Sequence, residues 1–325
     1  MRSDFIRPLA LALGMACAVV GAPVAAQSYP TKPVKIVVPL AAGGTSDIYA
    51  RFMAQRLQDA LGQPFVIDNR PGAGSVIGTD VVAKAVPDGF TLLLVSSVNA
   101  VTESLIPNKP FQLMRDFVAV APINYSDLVL VANPALPAAT LKDLIDLAKA
   151  RPGKLNYASA GPGSAYHMAG EQFKSMAGVY LVHIPYRAAS GARTDVIGGQ
   201  VDVMFDGVTS MAEQVKAGKV KALATTGKAR SDVLPNVPTM NEAGVPGYEM
   251  TIWMGLMAPR GTPRVVVDRL NEAVSKIVGQ PEVKQLWGKQ GAVPMVMTPE
   301  AFESYARDDI AKWARVIKAG NIKVD

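Results

Sequence analysis

Three short segments rich in glycine and small hydroxyl residues combine the residue types that bind anions. They lie at residues 39–47, 70–75 and 159–164, and each stands between a predicted strand and a predicted helix. A helix N-terminus presents unpaired backbone N–H groups and a partial positive charge, and glycine lets a ligand approach that backbone closely. The segments therefore predict a site for carboxylate or phosphate. Because the same residues often only shape turns and cap helices, the interpretation depends on the three segments occurring in one chain.

Two features of these segments need a separate interpretation. Asp47 stands at the start of the first helix, where a carboxylate usually offsets the helix dipole and repels an anionic ligand. The second segment, with Gly72, Gly74 and Gly78, is similar to a dinucleotide-binding fingerprint. Its third glycine comes one residue late and it follows the second predicted strand, so we expect no nucleotide and no other cofactor.

Nucleophilic catalysis needs a hydroxyl with a base within hydrogen-bond reach. The candidates are Ser164 with His167 or His183, and Asp206 as a third member. Ser164 and His167 are three residues apart on a predicted helix, but Ser164 lies in no Gly-x-Ser-x-Gly elbow, and His183 lies in an apolar strand where it is expected to pack. A secreted serine hydrolase is therefore the alternative and not the main prediction. Two histidines and one cysteine supply no spaced set of metal ligands.

The first 26 residues are predicted to be a secretory signal peptide. Arg2 and Arg7 precede an apolar run at residues 9–20 and a small-residue cleavage site. The run is shorter than the roughly 18 to 20 residues that a membrane-spanning helix needs. Cys17 has only part of a lipoprotein motif. We therefore expect a periplasmic protein without a lipid anchor.

Composition favours an anionic small-molecule ligand over a nucleic acid. The 325-residue chain has a formal net charge of +6, and aromatic residues make up 6% of it. Lysine and arginine are spread along the sequence and are not clustered with aromatic residues, which argues against nucleic-acid binding. The length is sufficient for two ordinary domains with well-filled cores.

From Lys32 onward, short apolar runs alternate with helical periodicity, which is typical of parallel βαβ units. The predicted strands cover residues 34–39, 65–68, 90–95, 117–123, 128–132, 154–159, 181–185, 201–205, 220–225 and 250–257.

The last predicted helices have no run of strands of their own and must pack on the first part of the chain. The chain is therefore expected to cross to a second domain and back. We predict a first domain made of residues 27–127 and 251–325, with residues 128–250 as an inserted second domain. The fold class is α/β, with two domains, two crossing strands and a cleft at the carboxyl ends of both sheets.

Further motifs accompany the three glycine-rich segments in a fixed order. The set lies at residues 29–39, 43–47 with Arg51, 69–74 with Gly78, 87–89, 161–164 with His167, 185–187, 198–202 with 205–206, and 235–239 with Glu242 and Gly244. Over nearly the whole predicted mature chain, this set resembles the Bug family of TctC-like extracytoplasmic solute receptors, the binding components of tripartite tricarboxylate transporters.

The resemblance implies a type II periplasmic-binding-protein fold. It also implies that backbone amides of the first and third segments hold a ligand carboxylate from opposite sides, often through bridging waters. The candidate ligand-binding residues are Ala42, Gly43, Gly44, Thr45, Ser46, Asp47, Gly74, Ser75, Ser97, Asn99, Ser159, Gly161, Gly163, Ser164, His167, Tyr186, Arg187 and Asp206.

The chain departs from the family pattern at four positions. Ala42 replaces a common proline, Ser75 and Ala188 replace glycines, and Arg193 stands where an apolar residue is usual. Two interpretations of Arg193 remain open: a second cation for a dicarboxylate, or an exposed arginine on a solvated helix face.

These features together predict a monomeric, non-enzymatic receptor. It would close over a mono-, di- or tricarboxylate, an acidic amino acid or an aromatic acid, and deliver it to the permease subunits of a tripartite tricarboxylate transporter. A ligand sensor that presents its closed form to a signalling partner is a further alternative. Backbone amides bind a carboxylate whatever is attached to it, so the sequence does not identify the acid.

Overall fold

The computed structural model describes residues 29–320 and 322–323; the predicted signal peptide and Cys17 lie outside this part. The strands of the described part are β1 (Val34–Val38), β2 (Phe65–Asn69), β3 (Thr91–Ser96), β4 (Phe117–Ala132), β5 (Asn156–Ser159), β6 (Val182–Pro185), β7 (Val203–Gly207), β8 (Lys221–Thr225), β9 (Thr251–Pro259) and β10 (Ala292–Pro294). Its helices are α1 (Thr45–Leu61), α2 (Val76–Ala83), α3 (Ser97–Leu105), α4 (Leu113–Asp116), α5 (Leu141–Ala150), α6 (Ala165–Ala177), α7 (Ala189–Ile197), α8 (Val208–Lys216), α9 (Arg264–Val278), α10 (Pro281–Lys289) and α11 (Pro299–Ala319).

The first sheet, sheet A, is built on three parallel strands. β1 pairs in parallel with β2 on one side and with β3 on the other. β3 then pairs antiparallel with β9, β9 with β4, and β4 with β10. Val34 and residues 36–38 of β1 are fully buried, as expected for a parallel strand that is covered on both faces.

The second sheet, sheet B, has its own parallel strands. β5 pairs in parallel with β6 and β7, while β4 pairs antiparallel with β7 on one side and β8 on the other. Met168 and Phe173 of α6 belong to one hydrophobic cluster, and Val208 and Met211 of α8 belong to another. Helices therefore cover both faces of sheet B.

Strand β4 belongs to both sheets. Its residues up to Asp127 pair with β9, and its residues from Leu128 onward pair with β7. The returning chain lies beside it: Thr226 N–H donates to Leu128 O (2.9 Å), and Met250 N–H donates to Thr226 O (3.0 Å). Thr251 then pairs with Asp127. Two segments thus cross between the sheets side by side.

The three C-terminal helices pack on sheet A. Asn271 of α9 donates to Val120 O (2.8 Å), and Trp253 Nε1 of β9 donates to Asp309 of α11 (2.7 Å). Trp287 of α10 contacts Tyr49 of α1 edge-on. The helices without strands of their own therefore cover the first sheet, as the sequence predicts.

The structure adds α3, α4 and β10 to the predicted elements. α3 follows β3 without a glycine or proline, and its start is marked only by the capping box of Ser96 and Asn99. The strands predicted at residues 117–123 and 128–132 are one strand, because pairing with β9 and β10 continues through the polar residues between them. The domain boundaries at residues 127 and 250 stay predictions.

Candidate functional site

The carboxyl ends of the parallel strands form two edges that point toward each other. β3 runs parallel to β4 and ends at Ser96, which is level with Asn124 through Met254. β7 runs in the opposite direction and ends at Gly207, which pairs with Leu128. The step from Asn124 to Leu128 corresponds to roughly 13 Å at the rise of a β-strand. Ligands of open α/β sheets bind at carboxyl edges, so the space between these edges is the candidate site.

The first glycine-rich segment leads from β1 into α1 and is open to solvent. Gly44 is the N-cap of α1 and offers no side chain to cap the first amides. Residues 41–45 are exposed, whereas Ser46 is buried. The free N–H groups and the partial positive charge of the helix start make Gly44, Thr45 and Ser46 suitable for binding an anion.

Asp47 holds the first turn from inside. Its carboxylate accepts hydrogen bonds from Gly43 N–H (2.9 Å) and Arg51 Nε (2.9 Å). Arg51 also donates to Asn69 (3.2 Å), which in turn donates to Leu40 O (3.3 Å). The hydrogen bond from Arg51 holds the pKa of Asp47 below its usual range. Gly43 and Asp47 thus bond to each other, and a ligand contact for either stays a prediction.

The second turn is fixed by a buried polar network. Asn99 Nδ2 donates to Ser75 Oγ (3.2 Å) and Thr79 Oγ1 (2.9 Å), and Thr102 donates to Gly74 O (2.7 Å). Ser75 and Asn99 are almost fully buried. The polar atoms of these predicted ligand-binding residues are used within the protein, so their contact with a ligand stays a prediction.

Close packing joins the turns to one another. A Cβ atom at Gly78 would lie 2.7 Å from Arg70 O and 2.8 Å from Pro39 Cα, so only glycine lets α2 approach the end of β1 this closely. A Cβ atom at Gly163 would lie 2.8 Å from Leu105 Cδ2. The end of α3 therefore contacts the third turn, which extends from sheet B.

The third turn closes on its own side chains. Ser164 Oγ donates to Gly161 O (2.7 Å) and accepts from His167 N–H (3.3 Å), which caps α6. Gly163 N–H donates to His167 Nδ1 (3.1 Å). The Ser164 hydroxyl and the His167 ring thus bind backbone groups and not each other, so the pairing that the hydrolase alternative assumes is wrong.

His183 packs against other rings, as expected, and it also bonds to a serine other than Ser164. Its Nε2 lies 2.6 Å from Ser159 Oγ, and its ring stacks on His167 and Tyr157. Burial, and next the neighbouring His167, lower the pKa of His183 to about 4. Ser159 has no exposed surface, so a substrate cannot reach its hydroxyl. The Ser159–His183 pair fixes the third turn.

Asp206, at the end of β7, is paired with Arg193 of α7. Arg193 Nε donates to Asp206 Oδ2 (2.8 Å), and Gly207 N–H donates to Asp206 Oδ1 (2.8 Å). The Asp206 side chain is completely buried, while 27% of the Arg193 side chain is exposed. Burial raises the pKa of Asp206, and the hydrogen bond from Arg193 opposes that rise. The interpretation of Arg193 as part of a solvated helix face is wrong.

Tyr186 and Arg187 follow β6 at the same edge. Tyr186 N–H donates to Ser159 O (3.0 Å), and its hydroxyl donates to Asp195 (2.5 Å). Arg187 is exposed. Tyr186 is therefore anchored within sheet B, whereas Arg187 is accessible to an anion.

A separate cavity of about 660 Å³ lies at the crossing segments. Tyr125 and Asp127 of β4, Glu249 and Thr251 of the returning segment, and Tyr305 of α11 contribute to its lining, which includes none of the predicted ligand-binding residues. Burial, and then the charge of Glu249, raise the pKa of Asp127 to about 6.

Two fully buried polar side chains near the strand ends lack partners within the described residues. They are Ser97, with its hydroxyl, and Asn124, with both polar atoms of its amide. Buried polar groups are normally hydrogen-bonded, and buried water commonly supplies the missing partner. Ser97 and Asn124 are as inaccessible as Ser159, so a ligand contact for Ser97 stays a prediction. Sequence reasoning missed Asn124, because a single asparagine within an apolar run forms no motif.

The described part of the chain offers neither a metal-ligand cluster nor a membrane-spanning helix. No cluster of three or more His, Cys, Asp or Glu side chains there is arranged to hold a metal ion. None of its helices combines the length and the apolar character needed to cross a membrane.

Two facing carboxyl edges joined by paired crossing segments define the class of solute-binding proteins. Residues 49–322 match the model of the tripartite tricarboxylate transporter family receptor. The chain is 38% identical over 312 residues to Protein BugT of Bordetella pertussis, which covers 95% of this chain and 96% of BugT. The chain therefore belongs to the tripartite tricarboxylate transporter receptor family, and the resemblance to Bug receptors is confirmed.

Solved structures agree on the fold. The R. palustris protein Rpa4515 with adipate superimposes with a TM-score of 0.82 at 34% identity, covering 91% of this chain and 99% of that one. MatC from Rhodopseudomonas palustris with bound malate gives a TM-score of 0.78 at 32% identity, covering 89% and 100%. The predicted α/β periplasmic-binding-protein fold is confirmed.

Proposed function

We propose that this receptor is exported to the periplasm, closes over a small organic acid and passes it to membrane permease subunits. One observation carries the proposal: the ends of β3 and β7 point at each other between Asn124 and Leu128. The uncapped start of α1 lies at one of these edges, and the third turn lies at the other.

Charge supports an anionic ligand. Three aspartates near the strand ends, Asp47, Asp68 and Asp206, are each paired with an arginine, so none presents an unpaired negative charge to the site. Arg187 adds an exposed cation. The structures of relatives with adipate and malate favour an organic acid over phosphate or sulfate.

The crossing segments support closure by rotation. β4 and the returning chain lie side by side at Asp127 and Leu128, so a twist there would move the two edges together. Bridging waters between the first and third turns would complete the coordination of a small, hydrated acid. Binding and release alone account for the site, so we propose no catalytic step. We also propose that the receptor acts as a monomer.

A thermal-shift screen of small acids tests the proposal. A true ligand at 100 times its Kd stabilises the folded receptor by about 2.7 kcal/mol. Mass spectrometry of the natively purified protein would identify a retained acid. If no acid shifts the melting temperature, the receptor function is wrong.

Removing one backbone N–H group at the start of α1 tests whether the ligand binds there. Thr45 is the first residue of α1 and follows an extended Gly44, so Thr45→Pro keeps the helix but removes an N–H group. Loss of a hydrogen bond to a charged ligand should weaken binding about tenfold or more. The matched variant Thr45→Ala keeps the N–H and should bind like the unaltered protein. Equal affinities of the two variants would exclude the first turn from the site.

A further inference from the structure

We propose that Arg193 determines the ligand class: its ion pair with Asp206 makes the edge of sheet B accept a carboxylate and reject an ammonium group. The receptor would then prefer a dicarboxylate without an amino group over an acidic amino acid. This inference rests on the proposed function and names the chemistry of that site.

The pair stands where the ligand would lie. Asp206 is the next-to-last residue of β7, the strand that ends opposite β3. Tyr166 of α6 lies beside it, since burial and then the Asp206 carboxylate raise the pKa of that tyrosine. Arg193 reaches Asp206 from α7, whose first turn packs on Tyr186 through Gly191. Asp206 thus has the helix that follows β5 beside it, and its ion-pair partner comes from the helix that follows β6.

Both oxygens of Asp206 are already used. Oδ2 accepts from Arg193 and Oδ1 accepts from Gly207 N–H, each at 2.8 Å. The carboxylate is completely buried beneath a partly exposed guanidinium. An incoming ammonium group therefore meets a cation and finds no free carboxylate to bind.

The guanidinium keeps donors for a ligand. Arginine has five N–H groups, and only Nε of Arg193 has a hydrogen-bond partner among residues 29–320 and 322–323. The remaining planar fork matches the two oxygens of a carboxylate. Asp206 behind it fixes its orientation, so Arg193 is prepared for a second carboxylate of the ligand.

Matched pairs of acids test the inference at pH 7.5. Succinate with aspartate, and glutarate with glutamate, differ by one amino group, and isothermal titration calorimetry measures each Kd on the mature protein. We expect at least a tenfold preference for the dicarboxylate of each pair. Arg193→Met should weaken dicarboxylate binding about 10- to 100-fold and abolish the preference. Arg151→Met, which removes an exposed arginine at the end of α5, should leave the Kd of every acid unchanged.

A second variant keeps the test valid if Arg193→Met does not fold. The double variant Arg193→Met/Asp206→Asn removes both charges and should likewise lose the preference. In Arg193→Met, dicarboxylate binding should also tighten as the pH is lowered, because protonation of Asp206 removes its repulsion.

Failure of the inference is distinct from failure of the proposed function. A preference for the amino acid, or an unchanged ratio in folded Arg193 variants, overturns the role of Arg193 while acids still bind. Absence of binding by any acid overturns the proposed function itself, and this inference with it.

Discussion

At the carboxyl edge of each sheet an aspartate forms an ion pair with an arginine, but the two pairs lie in different surroundings. Asp47 and Arg51 are one turn apart in α1, and 56% of the Arg51 side chain is exposed. Asp206 and Arg193 come from a strand and a separate helix, and the carboxylate has no exposed surface. The pKa of Asp47 is lowered by its arginine, whereas that of Asp206 is raised by burial.

The difference shows that one ion-pair chemistry has two uses. At sheet A the arginine is exposed and already solvated by water, while the buried Asp47 also accepts a hydrogen bond from Gly43 N–H, so this pair mainly shapes a turn. At sheet B the arginine compensates a charge that water cannot reach, so its loss leaves the aspartate uncompensated. An anion-binding site needs its own carboxylates neutralised, and this protein does so once with an arginine that is mostly solvated and once with an arginine that is mostly buried.

The largest expected effect tests the interior pair. Arg193→Met should lower the free energy of unfolding by about 3 kcal/mol at pH 7.5, because it leaves a buried carboxylate unpaired. Burial already raises the pKa of Asp206, and loss of Arg193 should raise it further, so lowering the pH should remove much of this loss of stability. Urea denaturation at pH 7.5 and at acid pH measures the change. An equal loss of stability at both pH values would assign the effect to packing and not to the buried charge.

Asp127 is a buried carboxyl group without an arginine partner among the described residues. Asp127 has a pKa raised to about 6, so its ionisation costs stability as the pH rises from about 4 through 6. Asp127→Asn should stabilise the protein by up to about 3 kcal/mol at pH 7.5 and by little below pH 4. Asp146→Asn, on the exposed face of α5, serves as the control in the same urea titrations. A destabilised Asp127→Asn would show that the carboxylate has a structural partner.

Acid should loosen the two edges unequally. In the folded protein His183 stays neutral down to about pH 4, because its pKa is lowered to about 4. In the unfolded chain a histidine is protonated below a pKa of about 6.5. Stability of the third turn should therefore fall as the pH drops through this window. Hydrogen-exchange protection factors at residues 159–167 should be lower at pH 5 than at pH 7. Those at residues 70–79 should be the same at both pH values. His183→Gln should abolish the difference; its persistence would assign it to another group.

The smallest expected loss of stability belongs to the Asp47–Arg51 pair, whose arginine is exposed. Arg51→Ala should cost less than about 1 kcal/mol of stability at pH 7.5. Chemical denaturation beside Arg193→Met gives the direct contrast. A loss as large as that of the Arg193 variant would mean that exposure does not separate the two pairs.

The sequence predicts those features that depend on local patterns. Glycine-rich turns between apolar runs and periodic helices located the strand ends, and helices without strands indicated that the chain returns to its first sheet. The family and the fold were predicted from the order of short motifs. Each motif is readable within a short window of sequence, and the family follows from the order of the motifs along the chain.

Contacts between distant segments were not predictable in this way. Asp206 and Arg193 lie on different elements, and nothing in their spacing pairs them. Ser159 bonds to the nearby Gly161 and also to His183 on the next strand. The cavity at the crossing segments is lined by Asp127 and Glu249 together. Such pairings follow from tertiary packing, which the local sequence pattern does not specify.

The sharing of β4 by both sheets also sets an order on folding. Phe117 pairs with Pro259, and Asp127 pairs with Thr251, so sheet A gains β9 only after the whole of sheet B has been synthesised. Pairings between such distant residues form slowly, because the loop between them must close first. α11, from the last part of the chain, then packs over β9 through Asp309 and Trp253. A chain built in this way completes its first sheet only after β9 and α11 have been synthesised, so the first third of the described residues depends on segments made much later.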